Sequence, residues 1–276
     1  MAANSADEII RHYTEADEAS RLRSGWFRLE EARTRELILR HLQPAPARVL
    51  DVGGAAGAYA LWLAACGYEV HLVDPVARHI EQARAASSQQ PDHPLASAAV
   101  GDARQLAQAD QSVDAVLLLG PMYHLTERKD RLTALREVNR ALRPKGLVWA
   151  AATSRFASLL DSLSGGFFEQ PEFGPILDRD LADGQHRNPT ANLTYFTDAF
   201  FHLPEQLAAE MKEAGFELIE LVAIEGPGWL ARDFDRLWND PQQRDRLLAL
   251  LRKVEHEPAL IGASSHILAI GRKARP

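Results

Sequence analysis

The run Val49–Gly57, VLDVGGAAG, constrains this chain more than any other stretch. Val49 to Val52 carry apolar and β-branched side chains around a single acid, Asp51, which suits a buried strand. Five small residues follow. They cannot continue a strand with side chains to pack, so they open a turn where backbone comes close to its surroundings. Ala58–Cys66 then reads as a buried helix closed by Gly67. Strand, small-residue turn and helix form the repeating unit of a parallel α/β sheet.

The rest of the chain repeats that unit. Glu69–Asp74 (EVHLVD) predicts a second strand, with a helix from about Val76 to Ala86. A weaker strand is expected near Ala98–Val100, and Val113–Gly120 (VDAVLLLG) reads as a strong buried one. Thr126–Leu142 predicts an amphipathic helix, RPKG turns the chain, and Leu147–Thr153 forms the next strand. Leu203–Phe216 is helical, Glu217–Ile224 is a strand, and His266–Arg272 is the last. The expected fold class is α/β: a seven-stranded, mostly parallel sheet with helices on both faces and the last strand antiparallel. Residues 1–45 read as an N-terminal helical lid segment, with Leu29, Ala32, Leu37, Ile38 and Leu42 on one stripe. Residues 46–276 form the main domain, with insertions at about 154–202 and 226–263, the second containing a helix near Pro241–Val254. Loop-rich insertions that long are commonly functional.

Bulk properties exclude several classes. A chain of 276 residues with 46% hydrophobic and 25% charged residues can bury a substantial core. The net charge of −7 disfavours a general nucleic-acid binder. Cys66 is the only cysteine, so neither an intrachain disulfide nor a cysteine-rich zinc site can form, and its apolar setting suggests burial. The ten histidines show no H-x-x-x-H or H-E-x-x-H, so no metal site is expected. The polar, acidic start MAANSADEIIRHYTEADEAS lacks the form of a signal peptide. No apolar run reaches the roughly 18 residues of a membrane span. A cytoplasmic protein is the expectation.

Loops like Gly53–Gly57 hold nicotinamide dinucleotides, nucleoside triphosphates or S-adenosylmethionine. The P-loop pattern is absent. The dinucleotide pattern G-x-G-x-x-G reads Gly53, Ala55, Ala58 here, and alanine replaces the glycine that lets a pyrophosphate approach. Asp74 ends the second strand, where an acid can hold ribose hydroxyls. Asp102 follows the third strand in GDA, and LREVNRALRPKGLVWAA supplies a helix, a tight turn and the fifth strand.

In that order and spacing, these landmarks resemble the class I S-adenosylmethionine-dependent methyltransferases, small-molecule branch. The resemblance is close over about Arg48–Ala152 and loose to the C-terminus. It implies S-adenosylmethionine as cofactor and S-adenosylhomocysteine as product. Asp51, Gly53, Ala55 and Gly57 would border the methionine half. Asp74 would take both ribose hydroxyls and Pro75 would lie along the adenine edge. Asp102 would accept from the adenine amino group and Ala103 N–H would face a ring nitrogen. Leu119 and Gly120 would offer backbone. Ala55 departs from the glycine of many members by one methyl.

The reaction implied is in-line methyl transfer to a small-molecule acceptor, in which the protein places the partners and removes a proton where one must leave. The segment after the fourth strand, LGPMYHL, suggests His124 as general base and Tyr123 as an orienting hydroxyl or wall. Tyr13, Arg155, Arg187 and Tyr195 are the candidate acceptor contacts. Other readings stay open: a methyltransferase acting on RNA or protein, an NAD-dependent oxidoreductase, or a cofactor-binding protein without catalysis. Monomer and dimer fit the sequence equally.

Overall fold

A computed structural model describes residues 13, 21–190 and 192–274. Of the expected lid, residues 1–12 and 14–20 lie outside the described residues. Helix α1 (Phe27–His41) leads to strand β1 (Arg48–Val52), helix α2 (Ala58–Ala65), β2 (Glu69–Asp74), α3 (Ala77–Ser88), β3 (Ser97–Val100) and β4 (Val113–Leu118). The short helix α4 (Pro121–His124), α5 (Arg128–Ala141) and β5 (Leu142–Thr153) complete the central half.

The first insertion is more ordered than its sequence suggests. It holds α6 (Ala157–Gly165), α7 (Gly174–Asp183) and a two-stranded antiparallel pair, β6 (Gln185–His186) with β7 (Ala199–Phe200). Helix α8 (Pro204–Glu213) and β8 (Phe216–Ala223) follow. The second insertion contains α9 (Phe234–Asn239), α10 (Pro241–Val254) and α11 (Pro258–Ile261), and β9 (His266–Lys273) closes the sheet.

The strand order is β3-β2-β1-β4-β5-β9-β8. Strands β1 to β5 pair in parallel, and β9 runs antiparallel to both β5 and β8. The expected seven-stranded sheet with its last strand reversed is the one found. Strand alternation divides the core. Val49, Val70, Leu72 and Trp149 pack with Leu37, Leu63 and Ile80 on one face. Leu50, Val52, Val116 and Val148 pack with Leu135, Val138, Leu207 and Met211 on the other. Trp149 Nε1 donates to Leu37 O at 3.1 Å and ties α1 to the first face. Cys66 departs from expectation. It is exposed, because α2 buries Tyr59, Ala60, Leu63 and Ala64, and position 66 falls off that stripe. Among the described residues no helix is long and apolar enough to cross a membrane.

The same alternation places Asp51 and Asp74 on the first face, at the carboxyl ends of adjacent strands. Gly53 and Ala55 adopt positive φ, +70° and +50°. Gly54 is required for space: a Cβ there would lie 2.5 Å from Asp51 Cγ and 2.6 Å from Leu72 Cδ1. Gly54→Ala should therefore lower stability by about 1–3 kcal/mol through overpacking. An unchanged unfolding midpoint in urea would show that the Asp51 side chain can move aside.

Candidate cofactor and acceptor site

Three joined cavities open at the carboxyl ends of the parallel strands, where sheets of this kind bind ligands. The first is lined by the turn Gly53–Ala56, Asp51, Tyr59, Glu30, Leu119 and Gly120. The second is lined by Asp74, Pro75, Gly101–Arg104, His79 and His124, and shares Gly53, Ala55 and Gly120 with the first. The third, of about 350 Å³, lies between the two insertions and α1. Among the described residues Tyr123 alone lines all three.

Asp51 is 1% exposed, and neither carboxylate oxygen has a hydrogen-bond partner among the described residues. Burial first, and then the charge of Asp74, push its carboxyl up to about 7, with the Ala60 amide offsetting a little. Asp74 is also buried but well satisfied. It accepts from Ala55 N at 2.9 Å, Val76 N at 2.9 Å and His79 Nδ1 at 3.0 Å. Three of a carboxylate's roughly four lone-pair sites are thus taken. Asp102 is half-exposed, and the Arg104 guanidinium grips it at 2.6–3.1 Å. That hydrogen bonding holds Asp102 below the usual carboxylate range.

Of the residues singled out for the cofactor, only Gly57 lines neither of the first two cavities. It sits beneath the turn at φ +85° and starts α2. His124, singled out for proton removal, borders the second cavity but not the third. Its Nε2 lies 2.8 Å from Tyr13 Oη. Tyr13 stands edge-on to His124 and His79 and lines the second and third cavities. Tyr195 lines the third, its hydroxyl donating to Gln170. Arg155 and Arg187 line none of the three. Arg155 Nε donates to Phe201 O and NH2 to Gln206 Oε1. Arg187 donates to the carbonyls of His186 and Ala199 and to Gln185. Both guanidinium groups brace the first insertion, so the acceptor contacts expected of them are replaced by internal ones.

Sequence reading missed His266 and the acids around it. His266 lines the third cavity. Its Nδ1 is 2.7 Å from Glu225 Oε1, and its N–H donates to Glu225 Oε2 at 2.9 Å. Ser264 Oγ also donates to Glu225 Oε2, at 2.7 Å. Arg21 holds Glu30 through two bonds of 2.6 and 3.0 Å. Glu30, Glu225 and His266 present ligand atoms within 4.8 Å of one another, a spacing a metal ion could use. Arg21 and the donors on Glu225 already engage those carboxylates, so the cluster is organised as ion pairs. The available signal was topological: an antiparallel last strand brings its first residue to the cavity end, and His266 pairs with Thr153 there.

Residues 49–146 match the family model described as a methyltransferase domain. An uncharacterized methyltransferase of Mycobacterium tuberculosis is 36% identical over 118 residues, covering 41% of this chain and 44% of the relative. The chain thus matches less than half the length of that relative. A structure of an S-adenosylmethionine-dependent methyltransferase from Methanosarcina mazei superposes with a TM-score of 0.57 at 19% identity, over 87% of this chain and 98% of that one. A Pyrococcus horikoshii protein superposes with a TM-score of 0.63 at 17% identity, over 96% and 99%. Residues 49–146 thus carry the match to a methyltransferase domain, and the sheet built around them has the fold of the superposed structures, among them an S-adenosylmethionine-dependent methyltransferase.

Proposed function

We propose that the protein transfers a methyl group from S-adenosylmethionine to a small-molecule acceptor. The observation that carries this reading is the meeting of three cavities at Tyr123, two of them bordered by the acids Asp51, Asp74 and Asp102 and the third largely by aromatic rings. The residues suit the cofactor. A buried carboxylate without partners costs several kcal/mol unless a cation joins it, and Asp51 offers that place to the ammonium of the methionine half. Gly53, Ala55, Leu119 and Gly120 supply backbone around it. Asp74 takes a ribose hydroxyl with its remaining lone pair, and Pro75, Asp102 and Ala103 border the base. Bound there, the cofactor supplies an electrophilic methyl on a sulfonium.

The chain's own part is placement and exclusion of water. Tyr123 walls the passage between the cavities. Tyr13, held by His124, covers the boundary of the second and third, which supports a lid role for the N-terminal segment. Tyr195 walls the acceptor side. The acceptor cavity is bordered by α1 and both insertions and lies at the small end of ligand-site volumes, which favours a small molecule over a macromolecule.

Calorimetric titration should show binding of S-adenosylmethionine and S-adenosylhomocysteine and none of NAD. Binding of NAD alone would overturn the assignment. Asp74→Asn should weaken cofactor binding by about 1.5–3 kcal/mol, the value of a hydrogen bond to a charged group. Equal affinity in the folded variant would remove Asp74 from the site. Asp51 makes a pH prediction. Its folded value of about 7 lies above the 3.8 of an ordinary aspartate. Stability is therefore fully present below about pH 4 and is lost as pH rises through 7, by on the order of 4 kcal/mol. Asp51→Asn should flatten that decline and raise the unfolding temperature near pH 8, while lowering cofactor affinity. A variant that tracks the wild-type pH curve would show that Asp51 is not the titrating group.

A further inference from the structure

We propose that His266 is the general base of the transfer, oriented by Glu225, and that the acceptor is a hydroxyl carried on an aromatic ring. This rests on the methyltransferase reading above. The geometry of the ring carries it. Nδ1 faces Glu225 at 2.7 Å, so in the neutral imidazole Nδ1 keeps the proton and Nε2 presents a lone pair. Among the described residues Nε2 has no hydrogen-bond partner, and the side chain lines the third cavity. Glu225 is itself fixed by donors from Ser264 and from the His266 backbone, so the ring is held from behind.

His266 also stands where a base must stand. It lies opposite Thr153 at the end of β5, and its ring centre is 6.2 Å from that of Tyr123, the residue common to all three cavities. The groups facing it are Glu225 after β8, Glu30 on α1 at 4.0 Å, Arg21 paired to Glu30, and Tyr123 on α4. Burial pulls its proton affinity down, but the two carboxylates outweigh burial and Arg21, so the imidazole is more basic than usual.

The remaining wall describes the acceptor. Trp26, Tyr123, Phe173, Tyr195, Phe196 and Trp229 surround the cavity, a set that suits a flat aromatic body. An anionic acceptor is disfavoured: Arg21 is spent on Glu30, and Asp161 lines the same cavity with its carboxyl raised by burial. A ring hydroxyl titrates near 10, as tyrosine does, within reach of an imidazole made more basic. In the step, the hydroxyl proton passes to Nε2 while the oxygen bonds the methyl carbon. The carbon–sulfur bond breaks and its electron pair stays on sulfur as a neutral thioether. Glu225 offsets the imidazolium charge.

The test uses the full chain saturated with S-adenosylmethionine and offered catechol and 1-naphthol, with aniline and 1-naphthylamine as matched amines. Methylation at oxygen of a phenol and none of its amine is expected. His266→Ala should lower kcat about 10²–10⁴-fold with cofactor affinity unchanged by calorimetry, and added imidazole should restore part of the rate. A neutral His266 is required, so the rate rises with pH through its titration. Glu225→Gln should move that acidic limb to lower pH. Glu30→Gln should move it the same way and serves if the first variant does not fold. Cofactor binding without methylation of any phenol would overturn the inference and leave the methyltransferase reading standing, and so would full turnover or an unmoved limb in the variants. Failure to bind the cofactor would overturn both.

Discussion

Two buried carboxylates on adjacent strands, Asp51 and Asp74, set the terms for the binding end of this fold. Alternation turns both toward the same sheet face, and the turn between β1 and α2 runs over them. Asp74 is stabilised by the amides of Ala55 and Val76 and by His79. The amide of Ala55 points down because that residue takes positive φ, a conformation that costs an alanine roughly 1–2 kcal/mol. Asp51 has no such donors. The turn is therefore shaped by one acid, while burial holds the other's carboxyl up to about 7. On the proposed reading a positively charged ligand group relieves that imbalance, which is how a site can be preorganised at the expense of stability.

The acceptor side follows from a different constraint. A long insertion of short helices and connecting loops carries many backbone carbonyls that need donors where they are buried. Arginine side chains meet that need here. Arg155 serves Phe201 O, and Arg187 serves the carbonyls of His186 and Ala199. His186 bridges Asp180 and Tyr195 O in the same way. With the cations turned inward, the surface left to the cavity is largely aromatic, and the imidazole of His266 stands in it as the base of a braced dyad. The insertion is thus a shell that uses its charges to hold its own backbone and presents rings to the ligand.

Much of the sheet was legible because parallel strands buried on both faces read as continuous apolar runs. β2 matches its predicted bounds, and β4 differs from its own only at the C-terminal end, where the chain leaves the sheet for a turn. β3, an edge strand with a single buried residue, read weakly for the same reason. The residues proposed for the cofactor were legible as a group because they sit at strand ends, where chain position fixes spatial position. The first insertion was not: its helices are short and its core, Phe173, Ile176, Leu177 and Tyr195, is assembled across loops. Arg155 and Arg187 carry the charge of ligand contacts, and only tertiary partners show that they are engaged. Glu225 and His266 lie 41 residues apart, and nothing local joins them. The reversal of β9 alone would have brought His266 to the site, since a predicted antiparallel strand that begins with histidine begins at the cavity.

The charges of the two halves also bear on turnover. On the proposed reading the cofactor enters with a sulfonium and an ammonium, and the first two cavities meet it with Asp51, Asp74 and Asp102. Only Asp102 among these is matched by an arginine at close range. Transfer removes the sulfonium charge and leaves a proton on the acceptor side, where Glu225 and Glu30 face His266. The field that favoured the charged cofactor therefore favours the neutral thioether less, while the new positive charge stands against carboxylates already fixed by donors. On that reading the attraction between these acids and the reactant weakens as transfer consumes the sulfonium charge, so the interaction that gathers the cofactor does not persist in full once the methyl has moved.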